Sequence, residues 1–157
     1  MKIKLAFLSI LFLLIGNVFG QATRQELLDK LKQQTDERCA SPEFKPYYEK
    51  TPCLVTQINF QYVSDTSKIT PVQKKAFLKV RAAIDENQRQ RIQVDRETGF
   101  GWAADVLEQF LIPPNDANNL DLLNGKITWG EYNAKRRDLF NNFMVEIKKA
   151  GSKQPTY

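Results

Sequence analysis

Residues 123–140 read LNGKITWGEYNAKRRDLF, and the fold turns on whether they form a site or a junction between helices. Gly125 can take the left-handed conformation that ends a helix. Thr128-Trp129-Gly130-Glu131 is a capping box: the threonine oxygen accepts from an orphan amide and the glutamate reaches back to the cap. The spacing predicts a final helix from Trp129 to about Lys149, with Gly151 beyond it and an apolar stripe of Tyr132, Leu139, Phe140, Phe143 and Ile147. Glu131 and Lys135 stand four apart and predict a favourable pair on the other face. The stretch therefore reads as a helix stop, a tight turn and a capped helix start joining two antiparallel helices.

Working outward, other helix starts follow the same chemistry. Thr23-Arg24-Gln25-Glu26 is a second capping box, and Leu27, Leu28 and Leu31 continue it to about Arg38. Thr70-Pro71-Val72-Gln73 is a third, with proline at the first helical position. It predicts a helix from Pro71 to about Arg96, with Val72, Ala76, Val80, Ala83 and Ile84 as its stripe. The following DENQRQRIQVDRE is mostly polar, so that half is expected to project into solvent or pack weakly. Gly99-Phe100-Gly101 breaks the chain. Trp102, Ala103, Val106, Leu107, Phe110 and Leu111 then predict an amphipathic helix ended by Pro113-Pro114, and Asn115 or Asp116 is expected to cap a short helix stopped at Gly125. The segment LVTQINFQYVSD, residues 54–65, is ambiguous. Ile58, Phe60 and Tyr62 alternate like a strand, yet Asn59 can cap a helical turn through Val63, and a lone strand cannot satisfy its backbone. The short helix is the favoured reading. Together these signals predict an all-α domain: a small bundle of five or six helices with a C-terminal helical hairpin and one disulfide.

The ends and the composition bound the setting. Residues 1–20, MKIKLAFLSILFLLIGNVFG, have a basic start at Lys2 and Lys4, an apolar centre and a small-residue end, the pattern of a cleaved secretory signal peptide. Cleavage is expected after Gly20, with Ala22 as the alternative. The apolar run falls short of the ~20 residues that span a bilayer, so no stable membrane anchor is expected. That leaves a single helical domain at 21–151 and a disordered tail at 152–157. Removing Lys2 and Lys4 from the 23 basic residues leaves 21 against 18 acidic ones. This mild, interleaved charge gives little support to nucleic-acid binding. Cys39 and Cys53 are the only cysteines in the sequence. In an exported chain they predict a disulfide, and closing a loop of about 15 residues contributes roughly 3 kcal/mol in the chain-entropy account. The sequence has no histidine, which removes Ser-His-Asp and Cys-His catalysis and the usual general base near neutral pH. No metal site and no cofactor are expected.

Gly125, Ile127, Thr128, Glu131, Tyr132, Lys135 and Leu139 follow a pattern that resembles the short helical-hairpin (SHOCT-like) motif found at the ends of many bacterial proteins. The resemblance covers about 25 residues and departs from the motif upstream of Gly125, where the leucines are spaced differently. It implies oligomerisation or protein contact rather than chemistry. The order of features along the chain also resembles exported proteins of Gram-negative bacteria that carry no assigned activity.

Several residues invite sharper readings. Gly99-Phe100-Gly101-Trp102-Ala103-Ala104 matches a dinucleotide fingerprint, but it lacks the preceding strand and reads as a helix break. Arg136 falls inside the apolar stripe of the last helix. It is expected either to extend its head out at the core edge or to face a ligand, and burial would call for a carboxylate such as Asp105 or Glu108. Trp102, Trp129 and Tyr132 join it as candidate binding residues, with core or rim packing as the competing reading for the tryptophans. Asp116 and Asp121 are a carboxylate pair with nothing to place them across a cleft. The expectation is a non-enzymatic periplasmic binding or interaction protein of the cell envelope. Its partner is expected to be another envelope protein, an inhibitor or immunity role being the narrower form. The alternatives are a carboxylate-dependent hydrolase of cell-wall material and a small-ligand carrier.

Overall fold

Four helix starts are written into the sequence as side-chain caps, and all four are made. Thr23, Thr70 and Thr128 each accept from the amide three residues on, while Glu26, Gln73 and Glu131 accept from the cap amides in return. Asn59 Oδ1 accepts from the Gln61 amide at 3.0 Å. The computed structural model describes residues 23–154, so the leader expected at 1–20 and the last residues of the expected tail lie outside it. The chain forms α1 (Arg24–Ala40), α2 (Lys45–Tyr48), α3 (Phe60–Val63), α4 (Pro71–Glu97), α5 (Gly101–Val106), α6 (Ile112–Leu123) and α7 (Trp129–Gly151). Single 3-10 turns occupy Pro42–Phe44 and Val55–Gln57, and a π-helical segment occupies Leu107–Leu111. Because α5, the π segment and α6 run on without a break, the described residues make six helical rods and no strand. The segment 54–65 is settled as 3-10 turn and helix.

Gly125 ends α6 as expected. It sits at φ +68, its amide donates to the Leu122 carbonyl at 2.9 Å, and the Lys126 amide donates to that of Asp121 at 2.9 Å. These are the two hydrogen bonds of a Schellman ending. The chain then turns directly into Thr128 and α7, and α6 packs on α7.

Three expectations need correction. Pro113 and Pro114 do not end a helix, and neither Asn115 nor Asp116 caps one: the prolines lie in the first turn of α6, where a missing N–H costs least. The wide turns at Leu107–Leu111 let the chain pass from α5 into them without a break. The expected stripe of α4 holds at Ala76, Val80 and Ile84 but not at its first member: Val72 is 66 % exposed, and Phe77, 2 % exposed, joins the inner face instead. Gln73 explains the departure, because its Oε1 accepts from both the Thr70 amide at 2.9 Å and the Trp129 indole at 3.2 Å. With Gln73 turned inward, Val72 points about 100° away. Lastly, the polar half of α4 does not project into solvent. It packs against α1 and α5, and Asp95 is buried at its centre. Arg24 donates to Asp95 Oδ1 at 2.8 Å and Arg91 to Oδ2 at 2.6 Å. Arg24 also lies 3.9 Å over the Phe100 ring. The carboxylate is buried because two guanidiniums accompany it.

The main core joins Tyr47 of α2, Ile69 of the loop before α4, Ala76, Phe77 and Val80 of α4, Leu122 of α6, and Trp129 and Tyr132 of α7. Cys39 and Cys53 are bonded, with their Cα atoms 5.6 Å apart. The bond ties the last turn of α1 to the loop after α2. At the C-terminal end, the Lys153 amide donates to Ala150 at 3.2 Å and the Gln154 amide to Gly151 at 3.1 Å. Ser152–Gln154 therefore extend α7 by hydrogen-bonded turns.

The start of α7 is set by a close approach of backbone to backbone. The Trp129 amide donates to the Ser67 carbonyl at 3.0 Å and the Gly130 amide to that of Asp65 at 2.7 Å. These are orphan donors of a helix start, satisfied by the loop before α4. A Cβ added at Gly130 would fall 2.8 Å from the Asp65 carbonyl oxygen and closer still to that of Val63. Both obstacles are backbone, so they cannot rotate away. Gly130→Ala is expected to destabilise the protein by about 1–3 kcal/mol through overpacking, read as a lower urea midpoint. Gly101→Ala is the control, since nothing lies within 4 Å of its added Cβ. An unchanged midpoint in Gly130→Ala would show that this approach does not constrain the fold.

Candidate functional site

A partly open cavity of about 140 Å3 lies between α2, α4, the π segment and α7. Its apolar wall comes from Phe77, Val80 and Ile84 of α4, Leu111 of the π segment and Phe140 of α7. Its polar wall comes from Arg81, Asn119, Tyr132 and Arg136, with Gln88 and Asn115 beside them. No aspartate or glutamate lines it. Two of the four expected binding residues, Arg136 and Tyr132, are therefore brought together here, four apart on one face of α7. The two tryptophans are not.

Trp129 is a core residue: its ring is fully buried between Tyr47 and Tyr132, at centroid distances of 5.8 and 5.7 Å. It cannot present a contact surface, which corrects that part of the expectation. Trp102 is half-buried at the far end of the bundle, beside Phe100 at 6.3 Å. Gly151 packs against it, where an added Cβ would come within 3.2 Å of the indole.

Among the described residues, Arg136 has no carboxylate partner. Nη1 donates to Thr51 Oγ1 and to the Pro52 carbonyl, each at 2.8 Å, and Nη2 donates to the Cys53 carbonyl at 3.1 Å. The expected partners Asp105 and Glu108 pair instead with Arg96. A guanidinium suits this task because its planar fork meets several acceptors at once. All three acceptors are uncharged, so the positive charge is not neutralised there, and some N–H donors stay unused. Arg81, the other cation of the wall, is matched: it pairs with Asp85 and, at 3.1 Å, with Asp116.

The tyrosine hydroxyls form a relay. Tyr47 and Tyr132 are 3.0 Å apart, and Tyr132 donates to Asn119 Oδ1 at 3.2 Å. The Nδ2 of Asn119, in a side chain only 7 % exposed, has no protein partner. The neighbouring Asn118 and Asn133 are fully buried and structural. Asn118 Nδ2 donates to the Tyr132 carbonyl at 3.1 Å, and Asn133 Nδ2 to that of Lys50 at 2.8 Å. Burial pushes the Tyr132 phenol well above its ordinary range, Tyr47 adding to the effect and Arg136 opposing it. The hydroxyl is therefore a lasting donor rather than a proton carrier.

Sequence reasoning missed Arg81, Asn119 and Tyr47. Arg81 lies four residues from both Phe77 and Asp85, where helical spacing marks a polar residue at the edge of an apolar face. The four-residue helix that carries Tyr47 and the buried amide of Asn119 leave no periodic trace. The expected Glu131–Lys135 pair is not formed: Glu131 is held by the Thr128 cap at 2.7 Å, and Lys135 lies 4.0 Å from Asp121.

The relay carries a pH signature. The native Tyr132 holds its proton more tightly than an unfolded tyrosine, whose pKa is about 10. The stability it confers is full below about pH 10 and is lost as pH rises above that toward the native value. The urea midpoint is thus expected to be level from neutral pH to about 9 and to fall above 10. Tyr132→Phe should lower the neutral-pH stability by about 1–3 kcal/mol, by leaving a buried hydroxyl and a buried amide oxygen unpaired. It should also make the alkaline fall shallower, the residual slope coming from Tyr48, which burial also raises. Equal alkaline slopes in the two proteins would remove Tyr132 from the account.

No protein-family model matches this chain, and no curated protein or solved structure matches it either.

Proposed function

We propose that the chain is a non-enzymatic binding protein of the cell envelope, carried to the periplasm by the leader expected at residues 1–20. The observation that supports it best is the cavity between α4 and α7. There an Arg136 guanidinium with only neutral partners and the Asn119 side chain, whose closed-off N–H2 has no partner, belong to the lining of one partly open space. Donors held in place beside an apolar wall are what a binding pocket requires. This favours the small-ligand form of the reading over a protein contact made by the aromatic residues of the hairpin, because Trp129 and Tyr132 lie in the core. A protein contact, which the SHOCT-like resemblance of residues 125–139 would suit and which an inhibitor or immunity role needs, has to use other surface, such as the exposed Met144 and Val145 of α7.

Carboxylate chemistry finds less support. A general acid in a wall hydrolase needs a carboxyl raised toward neutrality by an apolar setting. Glu26, Glu86 and Glu131 are instead lowered by their hydrogen bonds. Burial would raise Asp65, but hydrogen bonds from Ser67 and Lys50 outweigh it and leave it lowered. Asp116 and Asp121 are taken up by Arg81 and by Lys126.

Native mass spectrometry of the protein isolated from its own cells, together with crosslinking before lysis, tests the proposal. A non-covalent companion at near-equal abundance is expected. Companion-free protein, with measurable release of fragments from purified cell wall, would overturn the proposal in favour of the hydrolase.

A further inference from the structure

We propose that the cavity binds a small monocarboxylate: one carboxylate group on an apolar body of about the size of a benzene ring. This rests on the binding reading above and assigns its ligand class.

Charge decides the sign and the number. The lining holds two guanidiniums and no carboxylate. Arg81 carries two aspartates, Asp85 and Asp116, both about half exposed to solvent, so it adds no positive field and Arg136 is the cation the cavity has to offer. Arg136 gives its hydrogen bonds to a hydroxyl and two backbone carbonyls, which leaves one positive charge to be met. A monoanion balances it. A phosphate dianion would bring a second charge with no cation of its own into a largely apolar space, at a desolvation cost.

Hydrogen bonding decides the group. Asn119 contributes an N–H2 without a protein partner, closed off from solvent, so that a ligand meets it only by displacing the wall slightly, and Arg136 keeps unused N–H donors on the same lining. A carboxylate accepts at two oxygens and suits donors from two directions. The Asn119 oxygen already accepts from Tyr132 at 3.2 Å, so the N–H2 is the half of that amide still to be satisfied.

Volume and surface decide the rest. Phe77, Val80, Ile84, Leu111 and Phe140 form the apolar side of a space of about 140 Å3. A cavity of about 150 Å3 holds a benzene-sized molecule. Long-chain fatty acids and nucleotides are too large. A benzoate or a short branched acid fits in both volume and polarity.

Benzoate and benzamide separate charge from shape, and the protein is used with its Cys39–Cys53 bond intact. Calorimetry should give one benzoate per chain, with benzamide weaker by about tenfold or more. In amide-detected NMR, benzoate should move the Asn119 side-chain N–H2 and the Arg136 Nε–H signals ahead of the rest. Ile84→Phe fills the apolar side without touching either donor, and it should abolish benzoate binding while the helical circular dichroism is retained. Equal affinity for benzoate and benzamide would overturn the anionic assignment. Inorganic phosphate binding more tightly than benzoate would overturn the monoanion, and benzoate binding untouched by Ile84→Phe would overturn the location. No benzoate binding at millimolar concentration would overturn the inference as a whole. Any of these failures, in a protein that still carries a native companion, leaves the binding reading standing. A protein with no companion of any kind removes that reading itself.

Discussion

The backbone contact between the start of α7 and the loop at residues 63–67 is the constraint on which the other features depend. Two orphan amides of a 23-residue helix are satisfied by loop carbonyls rather than by water. This is what allows Trp129, in the first turn, to be fully buried instead of lying at a wet helix end. Once Trp129 is fixed, Tyr132 stands one turn below it against Phe77 and Tyr47, and Arg136 one turn below that at the cavity. A single i, i+3, i+7 row thus passes from core to polar core to open site. The contact is possible only because residue 130 lacks a Cβ. The loop is held in its turn by Lys50, which donates to Asp65 at 2.9 Å and Ser67 at 3.0 Å.

Much of the skeleton was legible in the sequence because its helix starts are local. A threonine and a glutamate or glutamine three residues apart need no tertiary context to form a capping box, and three such boxes were read in place. Gly125 and the cysteine pair were equally local signals. The polar half of α4 was not legible, because Asp95 is buried only in the company of Arg24, far away in the chain. Periodicity counts apolar residues and is blind to a carboxylate that enters the interior with two partners. The run from Gly101 to Leu123 misled for another reason. Proline reads as a helix breaker, yet in a first turn it costs little, and the π segment that delivers the chain to that turn has no distinctive composition.

The candidate site was half legible. Arg136 stood out as a charge inside an apolar stripe, and the structure places it on the cavity wall. A carboxylate is the partner a buried guanidinium leads one to expect, and here a hydroxyl and two backbone carbonyls take that place. Backbone carbonyls leave no mark in a sequence, so a guanidinium bound to carbonyls cannot be told from one bound to an acid. Trp129 drew attention as a large aromatic residue near basic ones. Those basic residues, Lys126 and Lys135, are exposed, while its neighbours in space are Tyr47 and Gln73, more than fifty residues away in the chain.

The carbonyls that orient Arg136 belong to Pro52 and Cys53, and Val55 of the same loop lines the cavity. That loop is anchored to the end of α1 by the Cys39–Cys53 bond. Oxidation of the two thiols therefore fixes the wall of the cavity as well as the fold. The Thr51 amide, donating to the Tyr47 carbonyl at 3.3 Å, and Asn133, donating to the Lys50 carbonyl at 2.8 Å, hold the same loop from its other side. The covalent bond that closes the end of α1 is thus also one of the supports that aim the arginine.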